Sequence, residues 1–361
     1  MIPIAKPLIG KEEKDAVQAV MDSGVIAQGP RVKEFEEKFA KYVGAEYAVA
    51  TSSGTTALHI ALLANGVGPG DEVITTAFTF IASANVILFC GAKPVFADIG
   101  EDYNINPEGI AQKITPKTKA MLPVHLYGQP ADMRAIMDLA QEHGIKVVED
   151  ACQSHGAEYR RKRVGSFSTG CFSFYPTKNM TTSEGGIVTT IHKDVFDRCN
   201  LLRAHGMPVR YHHDSLGFNF RLTDIAAAIG LEQLKKLEGF NEARIRNAKL
   251  LTKGLSEIEG IVTPRIYPER RHVFHQYTIR LHGFPLTRDD VIKKLNEAQV
   301  GSMVYYPIPV HKQKLYRDLG YRDAIPVTEQ FSAEVLSLPV HPSVTESDVD
   351  RIVSAFRSMR A

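Results

Sequence analysis

The chain has 361 residues, 44% of them hydrophobic and 23% charged, which is enough apolar material for two domains and excludes a disordered polymer. Lys and Arg number 43 against 41 Asp and Glu, so the net charge of +2 gives no global field for nucleic acid or an anionic membrane, and any anion site must be local. Cys90, Cys152, Cys171 and Cys199 lie in apolar or helical surroundings without metal-ligand spacing, residues 1–14 lack a signal-type pattern, and no apolar run is long enough to cross a bilayer. The expectation is a cytoplasmic chain with reduced thiols, no metal and no membrane partner.

In chain order, Lys11 to Met21 predicts a helix ending at Ser23-Gly24. Pro30 stands where a second begins, with Val32, Phe35, Phe39 and Val43 along one face. From Glu46, short apolar strands (Tyr47 to Thr51, Glu72 to Thr76, Pro94 to Ala97, Ala120 to Val124, Ile145 to Val148) alternate with helices (Thr55 to Leu63, Ile81 to Phe89, Pro107 to Ile114, Met133 to His143). Strands apolar on both faces and separated by helices predict an α/β fold, a mostly parallel sheet flanked by helices, with ligands beyond the carboxyl ends of the strands. An aromatic run ending near Phe174 and the segment Ile187 to Thr190 predict two more strands, followed by a helix from Asp194 to Arg203 and a polar loop from His205 to His213. Helical periodicity then runs from Thr223 to Leu237 and from Asn241 to Leu255, and Gly239 predicts a bend between them. The boundary is placed there, giving a large domain 1–240 and a smaller C-terminal α+β domain 241–361.

Three motifs carry chemistry. In Thr51-Ser52-Ser53-Gly54-Thr55-Thr56-Ala57-Leu58 a strand gives way to a helix start rich in hydroxyls and glycine, which suits a phosphate, although Ser and Thr are also ordinary N-caps. In Val147-Val148-Glu149-Asp150-Ala151 a strand ends in an acidic pair, and a carboxylate buried at Asp150 needs a cationic partner such as a protonated pyridine nitrogen. In Phe172 to Gly186 a buried strand end delivers Lys178 into a turn of small and hydroxylic residues. A lone loop lysine is ordinarily solvated, but one held here loses water, its pKa falls, and it becomes a nucleophile for a carbonyl. A phosphate site, a buried carboxylate and a strand-end lysine together meet the needs of pyridoxal 5'-phosphate (PLP).

The sequence resembles the DegT-like sugar aminotransferases, PLP-dependent enzymes of the aspartate-aminotransferase fold (fold type I), over essentially its whole length. The matching segments are Gly29-Pro30 before Phe35-Glu36, Ser53-Gly54-Thr55 with Ala57-Leu58, Gly68-Pro69-Gly70-Asp71-Glu72-Val73, Pro123-Val124-His125-Leu126-Tyr127-Gly128, Glu149-Asp150-Ala151, the Lys178 stretch and Gly217-Phe218-Asn219-Phe220-Arg221. Ser183 stands where the family often has glycine. The resemblance implies that Lys178 is the Schiff-base lysine and proton carrier, that Asp150 pairs with the pyridine nitrogen, that Gln153 lies near the ring and that Phe80 covers one of its faces. It implies that Gly54 lies at the cofactor, that Thr55, Thr56 and Ser173 hold its phosphate, and that Asn219 of a second chain reaches it, hence a homodimer with shared active sites. Gln28, His205, Arg221, Tyr305, Tyr306 and His311 are candidates for the substrate mouth. The implied reaction moves an amino group from an amino acid, usually glutamate, to a 3- or 4-keto group of a nucleotide-linked hexose, by way of pyridoxamine 5'-phosphate. Two alternatives are a PLP-dependent sugar dehydratase of the same fold, whose relatives carry histidine in place of the lysine, and a non-catalytic PLP-binding regulatory protein.

Overall fold

The structure is a computed structural model and describes residues 1–360. Seven strands form one sheet in the order Tyr47–Thr51, Gly186–Thr190, Thr169–Ser173, Lys146–Asp150, Thr118–Met121, Glu72–Thr76, Lys93–Ala97. Six run parallel; Gly186–Thr190 is antiparallel to both its neighbours. The apolar runs are buried on both faces because helices cover both, so Thr51, Asp150 and Ser173 emerge together at one edge of the sheet. Below the lysine stretch, the strand carrying Phe172 is locked by an aromatic cluster: Phe39 meets the Phe172 ring edge-on at 5.0 Å and Phe35 meets Phe174 at 5.2 Å.

Most helix starts follow local chemistry, but two are capped from far along the chain, Pro326–Glu334 by Asp98, which accepts from Val327 N–H at 3.0 Å and Thr328 N–H at 2.8 Å, and the second helix by Asp224. Pro30 opens the helix Pro30–Val43, whose first N–H groups are capped from far along the chain: Asp224 accepts from Gly29 at 2.8 Å, Arg31 at 3.2 Å and Val32 at 2.9 Å. A second, antiparallel sheet of Ile261–Val262, Tyr277–Leu281 and Val335–Leu338 packs with the helices Arg288–Glu297 and Glu346–Ser358 around Tyr277, Ile279, Leu336 and Phe356.

The expected bend at Gly239 is absent. One helix, Asp224–Leu255, runs unbroken for 32 residues, because Ala227, Leu231 and Leu237 pack on the large-sheet core while Ala248, Leu251 and Leu255 pack on the small one. Gly239 lies on its exposed side, where the glycine penalty of about 1 kcal/mol is too small to break a helix anchored at both ends. The proposed boundary between residues 240 and 241 thus falls inside a continuous element. Ile2, at the other end of the chain, belongs to the small core and bridges to Val300.

Candidate active site

Past Ser173 the sheet pairing stops and the chain turns: Phe174 N–H donates to the Gly185 carbonyl at 2.8 Å and Lys178 N–H to the Tyr175 carbonyl at 2.9 Å. The turn sets Lys178 in the wall of a cavity of ≈ 470 Å³. Its amine has no hydrogen-bond partner among the described residues. Burial lowers its pKa from the ordinary lysine value, with Cys152 and Asp150 opposing.

Asp150 is only 4% exposed and lines the same cavity. Its Oδ2 accepts from Ser83 Oγ at 2.7 Å and its Oδ1 from Cys152 N–H at 3.2 Å, and Ser83 is itself held by Thr79 at 2.9 Å. No cation of the described residues forms a direct ion pair with this carboxylate; Lys178 shares its cavity and is coupled to it only through space, so a bound cationic ring would give the buried carboxylate a direct partner.

The helix Gly54–Ala64 begins on the cavity wall, with Ser53, Gly54 and Thr55 contributing. Gly54 is required by close approach, since a Cβ there would stand 2.6 Å from Ser173 Cβ. The N–H groups of this first turn precede any intrahelical acceptor and make an anion seat beside the Ser173 hydroxyl. Thr56 is placed differently from the expectation: it is not on the wall. Its hydroxyl closes the capping box, donating to the Ser53 carbonyl at 2.8 Å and accepting from Ser53 N–H at 3.0 Å, while Ser53 Oγ accepts from Thr56 N–H at 3.1 Å.

Gln153, Phe80, Tyr305 and Tyr306 complete the cavity. Gln153 donates from Nε2 to the Tyr306 hydroxyl at 3.2 Å, and the Phe80 and Tyr306 rings lie 6.0 Å apart. Burial pushes the Tyr306 phenol up, so it stays protonated.

Four candidates for the mouth lie off this wall. Gln28 is exposed in the loop between the first two helices. His311 is buried against Phe96 with its Nε2 3.1 Å from Glu329 Oε1, which corrects the expectation that it faces substrate. His205 takes φ +61° at the root of the polar loop, and its carbonyl meets His213 Nδ1 at 2.9 Å. Arg221 bridges to Thr51 and lines a neighbouring hollow with Ser52, Ser183 and Glu184. Asn219, bridged to Ala204, is likewise off the cavity of its own chain. Sequence reasoning missed Ser83, which lies 67 residues from the carboxylate it holds and carries no local signal, and the wall residues Tyr175, Thr177, Glu184, His275 and Gln276. No cluster of three or more metal-ligating side chains occurs among the described residues, and no helix is long and apolar enough to cross a membrane.

The sequence pattern of the DegT/DnrJ/EryC1/StrS aminotransferase family matches residues 7–357. The chain belongs to that family. DegT-type relatives include the spore coat polysaccharide biosynthesis protein SpsC of Bacillus subtilis (strain 168), 40% identical over 377 aligned residues, 99% of this chain and 97% of the relative. The GDP-perosamine synthase of Caulobacter vibrioides is 42% identical over 361 aligned residues, 98% of this chain and 97% of the relative. Among solved structures, DesV of S. venezuelae, in complex with a ketimine intermediate, superposes with a TM-score of 0.94 at 37% identity over 99% of this chain and 98% of that one. DegT-type aminotransferases are PLP-dependent enzymes of fold type I. The cavity fits that cofactor: an anion seat at a helix start, a carboxylate without a direct ion pair and a desolvated lysine share it.

Proposed function

We propose that this chain is a sugar aminotransferase that moves an amino group from an amino acid, glutamate in our reading, to the keto carbon at C3 or C4 of a nucleotide-linked hexose, for amino-sugar and polysaccharide biosynthesis. The observation that carries the reading is the meeting of Lys178 with the buried Asp150 carboxylate, which has no direct ion pair, in one cavity. The similarity to a GDP-perosamine synthase and to a spore coat polysaccharide protein supports the sugar acceptor.

Bound PLP supplies an aldehyde for an amine and a protonated ring that accepts electron density from the donor's α-carbon. Lys178 acts as the base. With its pKa lowered by burial it is more readily the free amine, and with the cofactor bound it would be placed to take a proton from the donor's α-carbon and return it at C4′, across the intervening nitrogen. Asp150 keeps the ring nitrogen protonated, a role for which Ser83 and Cys152 N–H hold its oxygens in place. Ser53, Gly54, Thr55 and Ser173 would hold the phosphate, Gln153 would meet the ring's phenolic oxygen, and Phe80 would cover a ring face. Having base and substrate carbon on one site removes the entropy cost of recruiting a separate base. Asn219, with Arg221, completes the phosphate site of the second subunit of a homodimer.

The acceptor is tested by loading the protein with pyridoxamine 5'-phosphate and offering a panel of nucleotide ketosugars. A single turnover should restore the aldehyde absorbance and give an amino sugar by mass; ketoacids alone reacting would defeat the sugar assignment. Sharing of sites is tested by mixing Lys178→Ala and Asn219→Ala chains, which should recover activity in confirmed mixed dimers.

A further inference from the structure

The motif Pro123 to Gly128 supplies no wall residue of the cavity. Its last two residues nevertheless adopt left-handed backbone, Tyr127 at φ +57° and Gly128 at φ +104°. A side chain at 128 is barred, because a Cβ there would stand 2.8 Å from the backbone nitrogens of Phe274 and His275. Such a conformation at a buried tyrosine persists only where the surroundings over-determine it.

Those surroundings pull in two directions. Toward the cavity, Tyr127 N–H donates to Gln153 Oε1 at 3.0 Å. Toward the small domain, the Tyr127 carbonyl accepts from Gln276 N–H at 3.1 Å and the Gly128 carbonyl from Val273 N–H at 2.9 Å, both in the segment leading into Tyr277–Leu281. The Tyr127 hydroxyl donates to the Tyr305 carbonyl, next to Tyr306. Its ring packs edge-on against Tyr103 at 5.3 Å and Phe78 at 6.2 Å, so the turn cannot shift without them.

Because a backbone N–H occupies the Gln153 oxygen, the amide nitrogen is the end left for the cavity, where it donates to the Tyr306 hydroxyl. An inverted amide would set two donors against each other. We propose that the Tyr127–Gly128 turn is a positioning element that ties the seating of the small domain to the orientation of Gln153 and of the Tyr306 hydroxyl at the cofactor's edge. The proposal rests on the PLP reading for the ligand that Gln153 meets; the linkage of turn, amide and hydroxyl lies within the chain itself.

The test uses full-length wild type, Tyr127→Phe, Gln153→Ala and the double variant, with two readouts. Tyr127→Phe removes only the bond to Tyr305, yet it should shift the absorption maximum of bound PLP and weaken PLP binding by about two- to tenfold, the worth of one buried hydrogen bond. That effect should vanish when residue 153 is already alanine. Equal effects in both backgrounds, or a lowered Tm with an unaltered spectrum, would overturn the proposal. In the cofactor-free protein, the Tyr127 amide should exchange with solvent about tenfold faster in Gln153→Ala than in wild type, and unchanged exchange also overturns it. If wild type takes up no PLP, the functional reading fails while the exchange measurement still decides the coupling.

Discussion

Glu149 and Asp150 are neighbours at the end of one strand and both are buried, yet the regions they face treat a carboxylate in opposite ways. Glu149 points to the closed side of the sheet, where it accepts from Gly165 N–H at 2.7 Å, Phe167 N–H at 2.9 Å and Ser168 N–H at 3.3 Å and lies 3.2 Å from His125 Nε2. Asp150 points to the cavity with two donors and no direct ion pair. Burial therefore does not mark function by itself. A saturated carboxylate holds the fold together, and one left with spare lone pairs toward a cavity waits for a ligand.

The sharpest way to break this contrast begins on the open side. Lys178→Ala should lower turnover by at least about 10⁴-fold with little change in Tm, since its amine makes no protein hydrogen bond. Borohydride treatment of the PLP-loaded variant should trap no covalent adduct by mass; an adduct would move the Schiff-base role to another residue. The adjacent pair separates next. Asp150→Asn should cut kcat by about 10²- to 10³-fold while Tm holds or rises, because a buried carboxylate without a direct ion pair is replaced by a neutral amide of the same shape. Glu149→Gln should do the reverse, costing about 3 kcal/mol of stability as an amide is set against N–H donors, with kcat of the folded protein nearly kept. If both variants lose activity equally at unchanged stability, the division between the two sides fails.

A pH series sharpens the contrast further. Burial depresses the pKa of His155 and His272 to about 3 and that of His275 well below the ordinary value. Below pH 6.5 the unfolded chain binds protons at these three sites and the native one does not. Their stability contribution is therefore present above that pH and lost as pH falls toward 3, these three sites alone giving a slope approaching about 4 kcal/mol per unit in denaturant titrations. His155 sits against Phe172 and Phe174 with neither ring nitrogen partnered, so His155→Phe should reduce that slope by roughly a third. The smallest expected effect is at Ser183, exposed at φ +74° where glycine is at ease: Ser183→Gly should raise stability by up to about 1 kcal/mol, read as a small rise in Tm at unchanged kcat.

Much of the fold was legible because its signals are local. The alternation of apolar strands with helices reports the parallel sheet directly, and the strands Tyr47–Thr51 and Glu72–Thr76 and the helix Met133–His143 have the bounds that the periodicity predicts. Gly239 misled because a glycine is a local signal, and packing at both ends of its helix outweighs it. His311 misled because it follows Tyr305 and Tyr306 in a loop expected at the substrate mouth, but packing against Glu329 and Phe96 takes it off the cavity wall.

The chain's own sequence thus determined the architecture and the reaction type. Residue periodicity encodes the sheet, and the motifs that end in Asp150 and lead to Lys178 signal the proposed chemistry from the sequence alone. Tertiary structure alone decided the site's inner arrangement: that Ser53 rather than Thr56 faces the cavity, that Ser83 steadies Asp150, and that Tyr127 turns Gln153. Each depends on strand register and on which of two lone pairs is already taken, properties of groups brought together in space. No contiguous stretch of residues contains that information.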